Sequence, residues 1–585
     1  MIFRPILCKP LAEKTYYRTF VLKQSVFLVA SLVALASARN ITYSVITSAG
    51  DQQTVAVVVD RNSFQLKPSS DSRVLFTGEA PEATESYNYA KFNGGQMVEQ
   101  EAFLRHAVKD NTPNEFYNRT WNTVEPVQLP TVMPPMASID RIKSNLHLNN
   151  QIVTLHFEAG PDDFNKLHSN STMNTDKVTT TLTYITLNGT QKFTDVEIKL
   201  AGNSARMFPK LTYNIKLAKK QSLAGFRTLK LRSLATDPSY IREKTVYDII
   251  ESVGVASTQF SVFFNNQAYG LFGLIETFKN PWVDNEFGGG RKDFERGILY
   301  QGQCWSNTTK RHADLQFRGD NQTLYNDDSY KIKVEPAKGQ PMDYTRLMEF
   351  TKFLASAPTN GSEVVKEWEK HIDTESVVRN MALEILLGFA DGYITNVNNF
   401  YIYDNRKRRQ FTFIPSDTDF SMGSTMVKLD NMWNGNYHQF AGMSLSRPLV
   451  QKMLEVPELK QQFEQLLVKI CKEVLNPQVM NPYIDNLANM VREDVAWDRT
   501  LPRANPDAFK IIEQMAASAD AVQQLNDVAQ PTFDMNTTID LGTRLVLDDV
   551  TFDMAVNGPT GHISLSGVKE WVARQSEATL KYFSQ

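Results

Sequence analysis

The sequence predicts an α+β fold in which a β-rich half precedes a helical half. Short runs rich in β-branched and aromatic residues, separated by Gly, Pro, Ser and Asp, extend from residue 39 to about residue 280. Beyond about residue 340, apolar residues recur at helical spacing, as in "DYTRLMEFTKFLAS" and "ESVVRNMALEILLGF". A Pro-rich segment, "EPVQLPTVMPPMA", interrupts the β-rich half and favours neither helix nor central strand. These observations predict a small β domain, a linker and a larger two-part domain.

Residues 1–38 are expected to form a secretory signal. Basic residues precede the apolar run "SVFLVASLVALASA", whose small residues Ala36 and Ala38 are spaced as at a cleavage site. This run of about 14 residues is shorter than the roughly 20 that cross a bilayer. We therefore expect a secreted protein with no membrane span after cleavage; an uncleaved anchor is the alternative.

The remaining chain divides by pattern into four parts. Residues 39–125 are expected to form a small β-sandwich, 126–139 a Pro-rich linker, 140–285 a β-rich lobe and 286–585 a helical lobe. In the β-rich lobe, a hairpin is predicted at the Asn188-Gly189 turn. A helix over "PSYIREKTVYDIIESVG" is predicted to end at Gly254.

Composition excludes several functional classes. The formal net charge of −3 makes a nucleic-acid partner unexpected. No HExxH-like histidine spacing and no Gly-x-Ser-x-Gly motif occurs, which removes the main hydrolase candidates.

Several Asn-x-Ser/Thr acceptors, among them Asn118 and Asn188, suit an exported glycoprotein. Cys304 and Cys471 are expected either to pair as one disulfide or to remain buried thiols.

The acidic residues of "GFADGYITNVNNFYIYDNRKRRQFTFIPSDTDF" are the main candidates for chemistry. A helix capped by Asp373 is predicted to end near Gly388 and to deliver Asp391 into the following loop. A carboxylate beside a helix C-terminus is electrostatically unfavourable, so a purely structural role does not explain Asp391. This location indicates a functional carboxylate.

A hairpin is predicted to bring further polar residues to the same point. The runs "NFYIYD" and "RQFTFIP" have strand composition and a charged turn between them. Such a hairpin returns Asp417 and Asp419 to the neighbourhood of Asp391, Asn396 and Asn399. Carboxylate and carboxamide oxygens suit a hard cation such as Mg²⁺. The spacing of Asp391 and Asn396 also matches the Asp-x₄-Asn order of protein kinases, in which a metal-binding Asp follows.

The chain resembles the spore-coat CotH family, whose members have an atypical protein-kinase-like fold. The resemblance rests on "KLAGNSARMFPKLTYNIKL", "LKLRSLATDPSYIREKTVYDIIESVG", "NNQAYGLFGLIE", "DGYITNVNNFYIY" and "IPSDTDFSMG", and it covers most of residues 140–500. The N-terminal region and "TPNEFYNRTW" are similar to the secreted CotH proteins of mucoralean fungi. The resemblance implies a two-lobed kinase-like domain that follows the small sandwich.

The activity implied by the resemblance is transfer of phosphate from ATP, with Mg²⁺ or Mn²⁺, to Ser or Thr hydroxyls of surface or coat proteins. Asp391 is then expected to orient or deprotonate the acceptor hydroxyl, and Asp417 to hold the metal. The family pattern favours Asn399 as a further ligand, and kinase spacing favours Asn396. Asp419 is a second candidate ligand of the metal. Alternatively, it accepts hydrogen bonds from the ligands without contacting the metal itself.

A basic residue of the β-rich lobe is expected to contact the α- and β-phosphates. Lys216 in "YNIKL" is the first choice because kinases place this charge on a strand, and Lys210 and Lys230 compete with it. Glu243 in the following helix is expected to pair with the lysine; an exposed Arg242–Glu243 face is the alternative.

A short loop in the same lobe is a further candidate. Gly202, Asn203 and Ser204 are expected to let backbone amides approach a phosphate.

A second functional class stays open beside the kinase. Fungal CotH proteins are associated with attachment to host-cell receptors, so the resemblance also permits a surface adhesin or invasin on a kinase-like scaffold. Fold does not fix function. Asp391 and Asp417 favour the enzyme.

Overall fold

The computed structural model describes residues 39–202, 204–254, 260–264, 267–306, 308–506, 508 and 531–585. The expected signal at residues 1–38 and the loop residue Asn203 lie outside the described residues. The described residues form two compact units: 39–122 with 187–189, and the rest of the chain from 123 onward. Their mixture of strands and helices confirms the α+β class.

The first unit is a β structure around its own core. Within residues 39–122 its strands are β1 Asn40–Ile46, β2 Gln53–Val59, β3 Asn62–Pro68, β4 Leu75–Pro81, β5 Ser86–Asn93, β6 Gln96–Gln100, β7 Arg105–His106 and β8 Glu115–Phe116. Hydrogen-bonded neighbours follow the order β6-β5-β2-β3-β4-β1-β8, and β7 pairs with β5. Val55, Val57, Tyr87 and Tyr89 alternate along β2 and β5 into the core. A two-layer sandwich stays a prediction.

The second unit begins with a closed barrel. Its strands among the described residues are β9 Thr154–Glu158, β10 Val178–Thr186, β11 Gly189–Leu200, β12 Tyr213–Lys216, β13 Thr228–Arg232, β14 Phe260–Phe264 and β15 Gln267–Glu276. They follow the order β10-β11-β12-β13-β15-β14-β9, and the pairing of β9 with β10 closes the barrel. The predicted turn at Asn188-Gly189 joins β10 to β11. Helix α1 is Asp163–His168, and the predicted helix before Gly254 is α2, Arg242–Ser252.

Alternation along the barrel strands separates core residues from outward-facing ones. Leu229 and Leu231 of β13 pack in the barrel core. Because successive side chains point to opposite faces of a strand, Lys230 and Arg232 share the outer face. The same rule places Lys216 of β12 outside. The basic residues of these strands therefore face away from the apolar core.

A four-stranded antiparallel sheet follows the barrel. Its strands are β16 Leu299–Gly302, β17 Tyr330–Val334, β18 Phe400–Asn405 and β19 Gln410–Pro415, in the order β17-β16-β18-β19. Helix α3, Asn280–Phe287, contributes Trp282 and Phe287 to a core with Leu299, Tyr401 and Ile414. The hairpin predicted from "NFYIYD" and "RQFTFIP" is thus present as β18 and β19.

The remaining described helices lie in the second half of the chain, as predicted. They are α4 Thr345–Ser356, α5 Val364–Glu369, α6 Thr374–Leu386, α7 Tyr393–Asn396, α8 Pro448–Leu454, α9 Pro457–Glu473, α10 Pro477–Arg499, α11 Met535–Leu547, α12 Phe552–Asn557 and α13 Val568–Phe583. The Asp373 side chain accepts a hydrogen bond from the Ser376 N–H over 3.1 Å, which confirms the predicted cap of α6.

The state of the two cysteines and the polarity of the helices bear on two further expectations. Cys304 and Cys471 are free thiols, so the disulfide alternative is wrong. Cys471 is buried in α9, whereas Cys304 is only partly buried in a loop. Over the described part of the chain, every helix is too short or too polar to span a membrane.

Candidate functional site

The loop between α6 and β18 holds Asp391 in place. After α6 ends, Gly388 adopts a φ of +60°, which favours glycine. A Cβ atom at Gly388 would lie 2.4 Å from the Trp571 ring, so the close approach also requires glycine. The chain then forms the short helix α7 and enters β18. Asp391 therefore sits between the end of one helix and the start of the sheet.

Three carboxamides hold the Asp391 carboxylate. Asn396 Nδ2 donates to Oδ1, and the Nδ2 atoms of Asn398 and Asn399 donate to Oδ2 over 3.1 and 2.8 Å. Burial raises the pKa of Asp391 to about 6, and the charge of Asp417 adds to this effect, against the amide donors. At neutral pH the carboxylate is ionised and oriented, so it can accept a proton. The sequence argument missed Asn398, although the run "NVNN" could have indicated it.

The β18–β19 hairpin brings Asp417 back to this loop. The two strands pair along their length, and the Ser416 N–H donates to the Asn399 carbonyl over 2.8 Å. Asn399 and Asp417 have φ values of +50° and +53°. This left-handed conformation is uncommon for residues other than Gly, and Asn and Asp tolerate it best. The structure therefore brings Asn396, Asn399 and Asp417 together around Asp391.

Arg232 joins the two acidic residues that follow the hairpin. Its Nη2 atom lies 2.6 Å from Asp417 Oδ1 and 3.1 Å from Asp419 Oδ2. Burial opposes ionisation of Asp417, but Arg232 and Lys230 hold its pKa well below the ordinary range. Burial raises the pKa of Asp419 to about 7 against the attraction of Arg232. Sequence reasoning missed Arg232, although its position two residues after Lys230 on one strand places both on the same face.

Glu243 pairs with this arginine, not with a lysine. Arg232 Nε donates to Glu243 Oε2 over 3.2 Å, and both side chains are buried. The exposed Arg242–Glu243 face is also wrong, because both residues are buried on α2. Arg242 instead donates to Asp237 over 3.3 Å and to the Ser566 carbonyl over 3.0 Å. Helix α2 is therefore bonded to neighbouring segments through both Arg242 and Glu243. The sequence pattern alone does not show these contacts.

A cavity of about 770 Å³ lies against this cluster. One wall is the outer face of β11–β13, and the opposite wall includes β18, β19, Asn399 and Asp417. Its basic lining residues outnumber the acidic ones: Arg141, Lys177, Lys199, Lys216, Arg227, Lys230, Lys279 and Lys333 face Glu197, Glu276, Glu286 and Asp417. Burial and neighbouring lysines lower the pKa of Lys333 to about 8. The cavity therefore favours an anionic ligand.

The three candidate lysines occupy different environments. Lys230 Nζ lies 3.5 Å from Asp417 Oδ2, inside the cavity. Lys216 also lines the cavity, but its side chain is 48% exposed and lies 4.0 Å from Glu197. Lys210 is buried and bonded to Asp498 at 2.6 Å. Lys230 thus has the position closest to the acidic cluster.

The Gly202 loop lies at the edge of the same cavity. Gly202 lines it and has a φ of +79°, and a Cβ there would lie 2.8 Å from the Ala205 Cβ. A short 3₁₀ turn, Ser204–Met207, follows. The contribution of this loop to phosphate binding stays a prediction.

The oxygen donors around Asp391 fit a hard divalent cation. Carboxylates of Asp417 and Asp419 and a carboxamide oxygen are the ligand types that Mg²⁺ and Mn²⁺ accept. Asn396 Oδ1 is buried and has no hydrogen-bond partner among the described residues, which leaves it available to a ligand. No group of three or more His, Cys, Asp or Glu side chains is placed to hold a metal in the described chain. A cation here would therefore need Asn oxygens and oxygens of the bound ligand.

Comparison with known proteins identifies a family and several relatives that this chain resembles. A family model described as CotH kinase protein matches residues 198–531, which include β12, β13, the Asp391 loop and the hairpin. Invasin CotH3 of Rhizopus delemar is 24% identical, over 87% of this chain and 89% of its own length. Spore coat protein homolog 1 of the same organism is 24% identical, over 83% and 77%. Inner spore coat protein H of Bacillus subtilis is 23% identical, over 53% and 80%.

Proposed function

The chain belongs to the CotH family, and on this premise we propose that it is a secreted, atypical Ser/Thr protein kinase. It transfers the γ-phosphate of ATP to surface or coat proteins in a reaction that requires Mg²⁺ or Mn²⁺. The barrel and α2 form the N-terminal lobe of a kinase-like domain, and the four-stranded sheet and later helices form its C-terminal lobe. The proposed lobes are residues 140–285 and 286–585, after a β-sandwich at 39–125 and a linker at 126–139.

One observation carries the proposal. Lys216, Lys230, Asn399 and Asp417 line a single cavity, and Asn399 is bonded to Asp391. Protein kinases assemble the same parts: a strand lysine, a catalytic Asp, an Asn and a metal-binding Asp. The five residues come from two strands, a loop and a hairpin exit that are far apart in sequence. Their convergence supports phosphoryl transfer more than it supports an unrelated Asp-rich turn.

Asp391 acts on the acceptor. Its carboxylate, held by three carboxamides, accepts the proton of a Ser or Thr hydroxyl as the hydroxyl oxygen bonds to the γ-phosphorus. The bond from the γ-phosphorus to the bridging oxygen breaks, and ADP leaves with that oxygen. The fixed orientation of the carboxylate aligns the acceptor without further reorganisation.

The opposite side of the cavity acts on the donor. Lys230, with Lys216 nearer the exposed edge, neutralises phosphate charge along the outer face of the barrel. Asp417 is held ionised by Lys230 and Arg232, and with Asn399 or Asn396 it would hold the cation. A bound Mg²⁺ or Mn²⁺ supplies charge neutralisation to the transferred group. Apolar lining residues, including Phe278, Tyr401 and Ile414, suit a nucleotide base.

A second candidate function is adhesion at the surface. Several relatives carry the name invasin, and others are named spore coat proteins. These names support a location at a cell or spore surface and a host-cell receptor as a partner. In that case the cavity would have no catalytic role, and binding to the host-cell receptor would persist when Asp391 and Asp417 are replaced.

Transfer of labelled γ-phosphate tests the proposal. The purified protein is incubated with ATP and Mg²⁺ or Mn²⁺, alone and with a Ser-rich acceptor protein, beside Asp391→Asn and Asp417→Ala. Asp320→Asn is the matched control, because Asp320 is exposed and pairs only with exposed Lys352 among the described residues. We expect incorporation by the wild type and the control and its loss in both site variants.

Two outcomes decide between the candidate functions. No incorporation with either metal, together with no shift in melting temperature on adding ATP, would contradict the kinase and favour the adhesin. Incorporation that survives in folded Asp391→Asn would contradict the role given to Asp391. Binding of host cells is measured in parallel with the same variants.

A further inference from the structure

The Arg232 guanidinium lies among the carboxylates where a metal ion would be expected in a kinase-like site. The residue is buried at the end of β13, with its side chain only 8% exposed. Three carboxylates surround its guanidinium: Asp417 at 2.6 Å, Asp419 at 3.1 Å and Glu243 at 3.2 Å. Asp417 and Asp419 follow the hairpin, whereas Glu243 belongs to α2. One side chain therefore ties the hairpin exit to the helix of the barrel region.

The two carboxylates share the same nitrogen atom. Both shorter contacts are made by Nη2, so the guanidinium lies between Asp417 Oδ1 and Asp419 Oδ2. The other cation within 4 Å of Asp417 in the described chain is Lys230, which lies on Oδ2 at 3.5 Å. The Arg232 guanidinium thus occupies the space between the Asp417 and Asp419 carboxylates, and Lys230 adds a second positive charge beside Asp417.

Charge repulsion limits what else can bind there. In protein kinases two Mg²⁺ ions are held by the metal-binding Asp and the catalytic-loop Asn. A divalent cation bridging Asp417 and Asp419 would lie against the Arg232 guanidinium, which is always charged. In a low-dielectric site such a contact is strongly unfavourable. Asn396 Oδ1 is buried and makes no hydrogen bond to that guanidinium or to any other described residue.

We propose that Arg232 takes the place of one of the two metal ions that protein kinases hold. The cavity then binds a single divalent cation together with its nucleotide. Arg232 is a positioning residue: it holds Asp417 and Asp419 apart and fixes both relative to Glu243. The inference rests on the proposed function, because it concerns the cation that accompanies ATP.

Counting bound Mn²⁺ tests this inference directly. Free Mn²⁺ is measured by electron paramagnetic resonance during titration of the full chain at saturating adenylyl-imidodiphosphate, which cannot transfer its terminal phosphate. We expect one Mn²⁺ per wild-type molecule, two in Arg232→Met and one in Arg232→Lys, which keeps the charge. Arg291→Met is the matched control, because Arg291 is exposed, does not line the cavity and pairs with exposed Asp140; it should bind one.

The gain of a second ion is the decisive readout, since loss of folding alone would not create a site. Two Mn²⁺ ions in the wild type, or one in folded Arg232→Met, would overturn the inference. If Arg232→Met does not fold, Arg232→Gln is counted instead, since its amide can still bond to Glu243. Two ions in a wild type that transfers phosphate would contradict only the inference, whereas no binding of nucleotide and Mn²⁺ would contradict the proposed function as well.

Discussion

Lys230 Nζ lies 3.5 Å from Asp417 Oδ2, and this contact links the outer face of the barrel to the exit of the hairpin. Lys216, on the neighbouring strand, has Glu197 at 4.0 Å and is half exposed. A charge held beside the acidic cluster interacts with phosphate more strongly than one surrounded by water. The geometry therefore ranks Lys230 above Lys216 as the residue that contacts the phosphates.

Replacing these lysines should separate their contributions. In Lys230→Met we expect kcat/KM for phosphoryl transfer to fall by about 10²–10³-fold, the usual effect of removing one group that stabilises developing charge. In Lys216→Met we expect a fall of less than about tenfold, because the side chain is exposed. Lys331→Met, an exposed position on β17, is the control. A larger loss in Lys216→Met than in Lys230→Met would reverse the ranking.

Lys210 should matter for stability. Its ammonium is buried, and Asp498, at 2.6 Å, also accepts hydrogen bonds from Tyr240 and the Leu271 N–H. Lys210→Met leaves a buried carboxylate with less compensation, so we expect the free energy of unfolding to fall by about 3 kcal/mol. Urea denaturation followed by tryptophan fluorescence measures this change. A loss below about 1 kcal/mol would show that Arg503, at 3.0 Å, compensates Asp498 alone.

Glu384 should make stability depend on pH. The side chain is buried beneath the Asp391 loop and accepts the Ile394 N–H over 2.5 Å. Burial raises its pKa to about 8, against the backbone donors and Arg447. A raised carboxyl pKa means that the folded state binds the proton more tightly, so its contribution is complete below the ordinary pKa of 4.5 and is lost as the pH rises toward 8.

Glu384→Gln tests this dependence, because it keeps an acceptor oxygen and cannot ionise. Between about pH 5 and pH 8, we expect the wild type to lose about 3 kcal/mol of unfolding free energy more than the variant. Urea denaturation at each pH gives the difference. Parallel pH profiles for the two proteins would rule out Glu384 as the group responsible.

Gly388 should be intolerant of a side chain. Its φ of +60° and the Trp571 ring 2.4 Å from a Cβ atom both oppose alanine. We expect Gly388→Ala to lower the free energy of unfolding by about 2 kcal/mol or more and to reduce transfer, since the Asp391 loop must shift. Gly542→Ala in α11 is the control, because no atom lies within 4 Å of its Cβ position. Equal stability of the two variants would contradict this account.

Local patterns were sufficient to predict the Asp391 loop and its surroundings. The cap of α6 at Asp373 and the β18–β19 hairpin depend on neighbouring residues, and both are present. A hairpin returns the chain to its origin whatever the rest of the fold does. The approach of Asp417 to Asn399 therefore follows from local geometry alone.

Contacts between distant segments could not be predicted in the same way. Lys216 and Lys230 both alternate outward on barrel strands, and only the closed barrel determines which one meets the hairpin. The sequence predicts a lysine as the partner of Glu243, but the position of α2 against β13 gives it Arg232. The free thiols of Cys304 and Cys471 likewise depend on the packing of a loop and a helix that are far apart in sequence.

The most direct measurement of the central claim is mass spectrometry of a Ser-rich acceptor peptide incubated with the protein, ATP and Mg²⁺ or Mn²⁺. The account predicts peptide carrying phosphate on Ser or Thr hydroxyls with the wild type, and unmodified peptide with Asp391→Asn of equal stability. Unmodified peptide in every reaction, with no phosphate on the protein itself, would contradict it. The same result would follow for a scaffold whose cleft binds ATP without transferring phosphate, and the proposed kinase would then be wrong.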